Sequence, residues 1–449
     1  MSFKADFMWG AASAAAQIEG AYNEDGRKNS IWDVLDEGHT KHNDSPHVAC
    51  DHYHRYKEDI ALMKEMGLKY YRLSLSWSRL LPDGTGAINQ KGIDFYNDLF
   101  LELKKAGIEP MVTIYHWDLP YELYRKGGWE NDDSPLWFEE YTKLVVDKFS
   151  DKVKYWMTIN EPNCFIGISY KDACHAPFLD DKNALISCTR NVLLAHARAV
   201  KVIRERAKIT PVVGFAPTGP IYVPENESKE AYEKAYALTF SNKIRGPFSI
   251  GWWVDPVILG KTPKDVEDYL GVKELITSDE LAFIKQPLDF LGFNIYTPAG
   301  INKENSCYQT NEYEGCPRNT LGWVINPDCM YYAIKFIQDR YKLPLLITEN
   351  GYCGNDFVML DGKVHDPQRI DYIQRHLLAA KKAVEEGYDL MGYLYWSVMD
   401  NYEWAEGYDP RFGLIYVDYR DQSRIFKDSA LWYKTVIETN GENLFNKRL

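Results

Sequence analysis

No stretch of the 449-residue chain approaches the roughly 20 consecutive apolar residues that span a bilayer, so a membrane helix is not expected. The first residues, Met1-Ser2-Phe3-Lys4-Ala5-Asp6-Phe7, carry neither the apolar core nor the small-residue cleavage site of an export signal. A cytoplasmic location is therefore expected. Cysteine is sparse: eight residues, at 50, 164, 174, 188, 307, 316, 329 and 353, with no C-x-x-C pair. That pattern argues against a disulfide framework and leaves reduced thiols as the default. Cys307 and Cys316 are close enough in sequence to meet across a loop, but a bond there is not expected. A basic excess is also missing. Lys and Arg number 52 against 65 Asp and Glu, a net charge of −13. Nucleic acid and anionic membrane are thereby disfavoured as partners, since both need a basic footprint. With no linker, low-complexity tract or charge block, residues 1–449 read as one domain. The oligomeric state stays open, a homo-oligomer included.

Aromatic residues, by contrast, are plentiful: 13 Trp, 32 Tyr and 19 Phe. Such rings pack cores, and they also stack on the flat faces of sugars. Eight short apolar segments alternate with amphipathic helical stretches. The segments are Met8–Ala12, Tyr70–Ser74, Pro110–Ile114, Tyr155–Ile159, Val212–Phe215, Phe290–Asn294, Leu345–Thr348 and Met391–Tyr395. Helices are expected at Tyr53–Met66, Gly92–Ala106, Leu136–Phe149, Ala184–Arg206, Ser228–Asn242, Tyr331–Tyr341 and Pro367–Glu386. Gly67 and Gly107 stand as stops after the first two. Eight such repeats predict an α/β fold, a single (β/α)8 TIM barrel. About 250 residues build such a barrel. The remainder is expected in long βα-loops that form a deep pocket over the C-terminal ends of the strands.

Two glutamates stand at those ends. Thr158-Ile159-Asn160-Glu161-Pro162 closes the fourth segment and Ile347-Thr348-Glu349-Asn350-Gly351 the seventh. In an eight-strand ring, strands four and seven face one another across the mouth. Two carboxyl groups across a pocket are what glycoside hydrolysis needs, one to protonate the leaving oxygen and one to attack or to activate water. Two other readings fail on spacing. Histidines 39, 42, 47, 52 and 54 make no zinc pattern, so no metal is expected. Gly10, Gly20 and Gly26 make no dinucleotide-binding turn, and no cofactor is implied.

Thr-Ile-Asn-Glu-Pro and Ile-Thr-Glu-Asn-Gly resemble the paired signatures of glycoside hydrolase family 1, the β-glucosidase family. The likeness runs through the whole chain: Phe7 to Ala12, Gln17-Ile18-Glu19-Gly20, Tyr115 to Pro120, Gly292 to Thr297, Trp396 to Trp404 and Arg411 to Leu414. It implies a retaining exo-β-glycosidase acting on small β-glycosides such as cellobiose, short cello-oligosaccharides and aryl β-glucosides. Glu349 would be the nucleophile and Glu161 the acid/base, its proton held by the charge of Glu349 and by partial desolvation. Gln17, His116, Asn160, Tyr296, Trp396, Glu403 and Trp404 would hold the sugar. Arg72, Asn294 and Trp117 would support them, with Arg72 favouring the ionised form of Glu349, and Trp323 would carry the aglycone. β-Galactosidase or β-fucosidase specificity and transglycosylation are the alternatives within catalysis. A non-catalytic sugar-binding barrel is the alternative outside it. The chain departs from the family at Asn163, where Trp is common, at Ala16, where an aromatic is usual, and at Phe178, where Gly usually follows His-Ala-Pro.

Family members that act on 6-phosphosugars replace the glutamate found here at 403, and plant thioglucosidases replace the one at 161 with Gln. A Glu403 carboxylate beside a phosphate dianion is repulsive, and like charges so placed cost several kcal/mol. Accordingly, kcat/KM for 4-nitrophenyl β-glucoside is expected to exceed that for its 6-phosphate by at least roughly 100-fold. A steady-state comparison of the two substrates measures this.

Overall fold

A computed structural model describes residues 3–299 and 315–445 of the chain. Cys307 lies outside the described residues; the other seven cysteines are free. Eight strands form the sheet: Met8–Ala12 (β1), Tyr70–Ser74 (β2), Glu109–Tyr115 (β3), Tyr155–Asn160 (β4), Val212–Ala216 (β5), Phe290–Asn294 (β6), Leu345–Asn350 (β7) and Leu390–Trp396 (β8). Each pairs in parallel with the next, and β8 pairs with β1, so the sheet closes into a barrel without an edge. With its surrounding helices this is the (β/α)8 TIM barrel. No helix among the described residues is long and apolar enough to cross a membrane.

The period-two alternation of a strand sorts side chains between two apolar bodies. Tyr155 and Met157 of β4 pack inside the barrel with Met8, Met111, Phe290, Leu346 and Leu394. Trp156 and Ile159 face the other way, into the cluster shared with the helices. Thr158 also points outward, where its hydroxyl meets His196 Nδ1 at 2.7 Å on the helix Lys182–Arg206. Apolar filling occupies the lower barrel. The inward positions near the C-terminal ends carry Arg72, Asn160 and Asn294 instead, all buried.

Those ends depart from regular pairing. Register shifts interrupt β4–β5 between Met157 and Asn160, β6–β7 between Phe293 and Asn294, and β7–β8 between Ile347 and Asn350. A bulge inserts a residue and re-aims the side chains after it. It extends β4 to Asn160 and β7 to Asn350, so Glu349 lies within its strand rather than after it. The sequence reading ended both strands early because a bulge leaves no mark in the alternation it interrupts.

The helices follow the expected pattern, with short additional helices in the loops, Ala15–Ile18, Trp77–Leu80, Tyr121–Tyr124, Pro162–Phe165 and Gly167–Tyr170 among them, and with further differences. Gly67 at φ 73° and Gly107 at φ 77° end His52–Glu65 and Gln90–Ala106 in the left-handed conformation. The stretch expected as one helix over Ser228–Asn242 breaks into Lys229–Thr239 and Asn242–Arg245. Short helices between 250 and 284 were not anticipated. Nor were the antiparallel pair Ile415–Asp418 and Ser423–Phe426 and the closing helix Asp428–Glu438. That helix and the residues after it return to β1. Tyr433 donates to Gly10 O at 3.0 Å, Trp9 Nε1 to Asn440 Oδ1 at 2.8 Å and Phe3 N to Asn440 O at 3.1 Å.

Gly351 follows the β7 bulge under the main chain of β8, where an added Cβ would fall 1.8 Å from Trp396 O. Backbone cannot yield as a side-chain tip does. Gly351→Ala is therefore expected to destabilise the protein by about 3 kcal/mol or more, the upper end of the overpacking range. Urea denaturation of the two proteins reads the difference.

Candidate active site

A cavity of about 540 Å³ opens over the C-terminal ends of the strands, walled by βα-loops. Glu161, Glu349 and Glu403 line it together with His116, Trp117, Tyr296, Trp323, Trp396 and Trp404. Gln17, Arg72, Asn160 and Asn294 lie buried behind this wall. The residues singled out in the sequence thus gather at one place.

Arg72 is the hub. Its Nη1 donates to Glu349 Oε1 at 2.5 Å and to Thr348 O at 3.1 Å, its Nη2 to Asn160 Oδ1 at 2.6 Å and its Nε to Thr113 Oγ1 at 3.0 Å. The Tyr296 hydroxyl donates to the other oxygen of Glu349 at 2.6 Å. Glu161 lies just past β4 with φ 42° and ψ 65°, a left-handed conformation that costs a non-glycine residue about 1–3 kcal/mol. Its N–H is tied to Ala216 O at 2.8 Å. Its Oε1 accepts from Asn294 Nδ2 at 2.7 Å, and the same amide donates to Asn160 Oδ1 at 3.1 Å. Thr348, which the sequence reading left without a role, fixes that amide by donating to Asn294 Oδ1 at 2.6 Å. No spacing in the sequence could have signalled it, because the partner is 54 residues away.

The other end of the cavity is aromatic. Trp404 lies 4.7 Å from both Trp32 and Trp117, ring centre to ring centre, and His116 stacks at 5.8 Å on Trp396. Asn160 Nδ2 meets His116 Nε2 at 3.2 Å; the oxygen of that amide already accepts from Arg72 and Asn294, so the imidazole Nε2 is the acceptor. Gln17 Nε2 donates to Asn401 Oδ1 at 3.0 Å and to Tyr402 O at 2.9 Å and reaches Glu403 at 3.4 Å. Trp117 Nε1 donates to Asn160 O at 3.1 Å. Half-buried Trp323 packs beside Tyr296 and Phe412 at the rim.

Burial comes first in setting the proton affinities of the three carboxyl groups. Burial pushes Glu161 up to about 8, and the charge of Glu349 adds to it; Asn294, Cys164 and Arg72 oppose. Burial also raises Glu349, against the pull of Arg72, Tyr296 and Asn294. Both points modify the sequence reading. Desolvation, rather than the neighbouring charge, comes first for Glu161, and at Glu349 it outweighs the arginine. Glu403 is raised to about 8 by burial and then by the other two carboxylates, so at neutral pH it holds a proton, and the repulsion of a phosphate expected from the sequence belongs to its ionised form. Burial and the nearby Arg72 keep His116 neutral, well below the usual histidine range. Elsewhere His52 pairs with Asp59 at 2.7 Å and His54 with Asp51 at 2.6 Å, and no group of three potential metal ligands occurs among the described residues.

The raised Glu161 has a consequence for stability. Between its ordinary 4.5 and about 8 the folded chain holds a proton that the unfolded chain releases, so stability falls as pH rises through that window. Gln does not titrate. The stability of Glu161→Gln relative to the parent is therefore expected to improve from pH 5 to pH 8, read from urea midpoints at the two pH values.

Residues 1–442 match the model of glycosyl hydrolase family 1. The chain is 40% identical to β-glucosidase A of Thermotoga maritima over 98% of both chains. It is 39% identical to β-glucosidase A of Acetivibrio thermocellus over 98% of this chain and 99% of that one. The solved structure of the Thermotoga maritima β-glucosidase with glucoimidazole superposes with a TM-score of 0.90, covering 98% of this chain and 99% of that one. A closed barrel, two glutamates lining one cavity and a match over nearly the whole length lead to one statement: the chain belongs to glycosyl hydrolase family 1.

Proposed function

We propose that the protein is a single-domain, retaining exo-β-glucosidase that hydrolyses cellobiose, short cello-oligosaccharides and aryl β-glucosides by double displacement. The observation that carries the reading is the unequal pair of glutamates lining one cavity. Glu349 is held by an arginine and a phenol, while Glu161 is desolvated and faces a negative charge. Both line one cavity and the charge of Glu349 acts on Glu161, which supports retention, a route that needs carboxyl groups about 5–5.5 Å apart, too close for an intervening water.

In this reading Glu349 attacks the anomeric carbon while Glu161 gives its proton to the departing oxygen, leaving a covalent glycosyl-enzyme. Esterification removes the charge of Glu349. The electrostatic push on Glu161 goes with it, its proton affinity falls, and it takes a proton from the water that releases the sugar. Gln17, His116, Asn160, Glu403 and Trp404 hold the glycone hydroxyls and Trp396 lies against the sugar ring. Gln17 Oε1 and His116 Nδ1 support this: both are buried without a hydrogen-bond partner among the described residues, capacity that a hydroxyl group can fill. Trp323 offers its face to the aglycone. Arg72, Asn294 and Trp117 keep the two glutamates and Asn160 in place, and Tyr296 steadies the nucleophile. A reducing, cytoplasmic setting belongs to the same reading, supported by buried thiols such as Cys50, which donates to Asp400 O at 3.0 Å.

Glu349→Gln is expected to lower kcat/KM for 4-nitrophenyl β-glucoside by roughly 10⁴-fold or more. Glu161→Ala is expected to lose roughly 10³-fold on substrates with poor leaving groups but little in glycosylation by 2,4-dinitrophenyl β-glucoside. Azide restores its turnover and yields β-glucosyl azide, because azide needs no general base. Full activity of Glu349→Gln, or an equal loss of Glu161→Ala on all leaving groups, contradicts the assignment.

A further inference from the structure

Asn163 stands two residues beyond Glu161 in the short helical turn Pro162–Phe165, and its side chain is fully buried. Its neighbours Cys164 and Ile168 line the cavity; Asn163 does not. It sits instead in the seam between three segments. Nδ2 donates to Ser249 O at 3.0 Å and to Phe248 O at 3.3 Å, while Oδ1 accepts from Thr218 N at 3.3 Å. Thr218 and Phe248 both line the cavity, on the side of Glu161. The segments already touch: a Cβ on Gly167 would lie 3.3 Å from Phe248 N and from Pro247 C. Thr218 is tied in turn to the residue whose amide holds Glu161, its hydroxyl donating to Asn294 O at 2.9 Å.

We propose that Asn163 is a positioning residue for the leaving-group wall, its carboxamide fixing Phe248 and Thr218 in register with Glu161. The group suits the task. A carboxamide offers two donors to two carbonyls and an acceptor to an N–H at once. Asp lacks the donors, and Leu, of similar size, lacks every polar atom. Glu161 keeps its own supports, Asn294 and Ala216 O, so the water step of the reaction does not pass through Asn163. What depends on Asn163 is the fit of a bulky, poor leaving group between the wall and the proton that it needs. At such a site small misplacements cost rate steeply.

The inference rests on Glu161 being the acid, and the test keeps the two apart. Asn163→Leu and Asn163→Ser are compared with the parent on 2,4-dinitrophenyl β-glucoside, 4-nitrophenyl β-glucoside and cellobiose. Rates are referred to sites titrated with 2,4-dinitrophenyl 2-deoxy-2-fluoro-β-glucoside, so that unfolded protein is not counted. The expected result is kcat on the dinitrophenyl substrate within about twofold of the parent, because water attack limits it. Over the same series kcat/KM for cellobiose falls at least about 10-fold in the Leu variant, and Ser recovers part of it. An equal fall on all three substrates, or none on cellobiose, overturns the proposal. Should Leu leave no titratable sites, the Ser variant decides by the same split. Failure of azide to rescue Glu161→Ala would instead remove the acid assignment, on a different variant.

Discussion

One buried guanidinium holds this site together. Arg72, on β2, spends its donors on three other strands: Thr113 on β3, Asn160 on β4, and Thr348 O and Glu349 on β7. Buried charges without partners are expensive, and three carboxyl groups around one cation cannot all be ionised cheaply. The excess has to appear as held protons, which is why Glu161 and Glu403 are both raised to about 8. The chemistry assigned to Glu161 is thus a by-product of an imbalance that the barrel mouth cannot relieve.

Geometry follows from the same place. Three of the register shifts fall where Asn160, Asn294 and Glu349 must turn from the apolar barrel interior toward the mouth. Glu161, Trp117 and Trp404 all take positive φ, at 42°, 75° and 54°. Residues held in that region persist only where surrounding contacts over-determine them. Here those contacts are the Ala216 carbonyl under Glu161, the bond from the Trp117 indole to Asn160 O and the tilted packing of Trp404 against Trp32 and Trp117.

Much of this was legible in the sequence, and the limits have physical causes. β1, β2 and β6 begin and end where their apolar runs do, because nothing interrupts the alternation. Glu161, Glu349, Arg72 and Tyr296 were visible as residues at strand ends, and the structure brings all four to one cavity. What stayed hidden depends on backbone groups or on distant partners. Thr348 acts on an amide in another strand, and Asn163 binds two carbonyls and an N–H, groups that every residue possesses and no pattern marks. The split at Phe240–Ser241 and the segment 250–284 were obscured because helices in a long loop need not show a stripe facing the barrel. Burial depth was likewise invisible, and it is burial that raises Glu349 despite its arginine.

The closing helix and the residues that follow it bind β1 through Tyr433 and Asn440, while Phe3 and Trp9 supply the other half of the join. Head and tail of the fold therefore sit side by side at the foot of the barrel, far along the strands from the cavity. A ring laced in this way has no privileged seam. The polypeptide's point of entry into the cycle is an accident of connectivity, and circular rearrangement of the chain would leave every pairing in the ring intact.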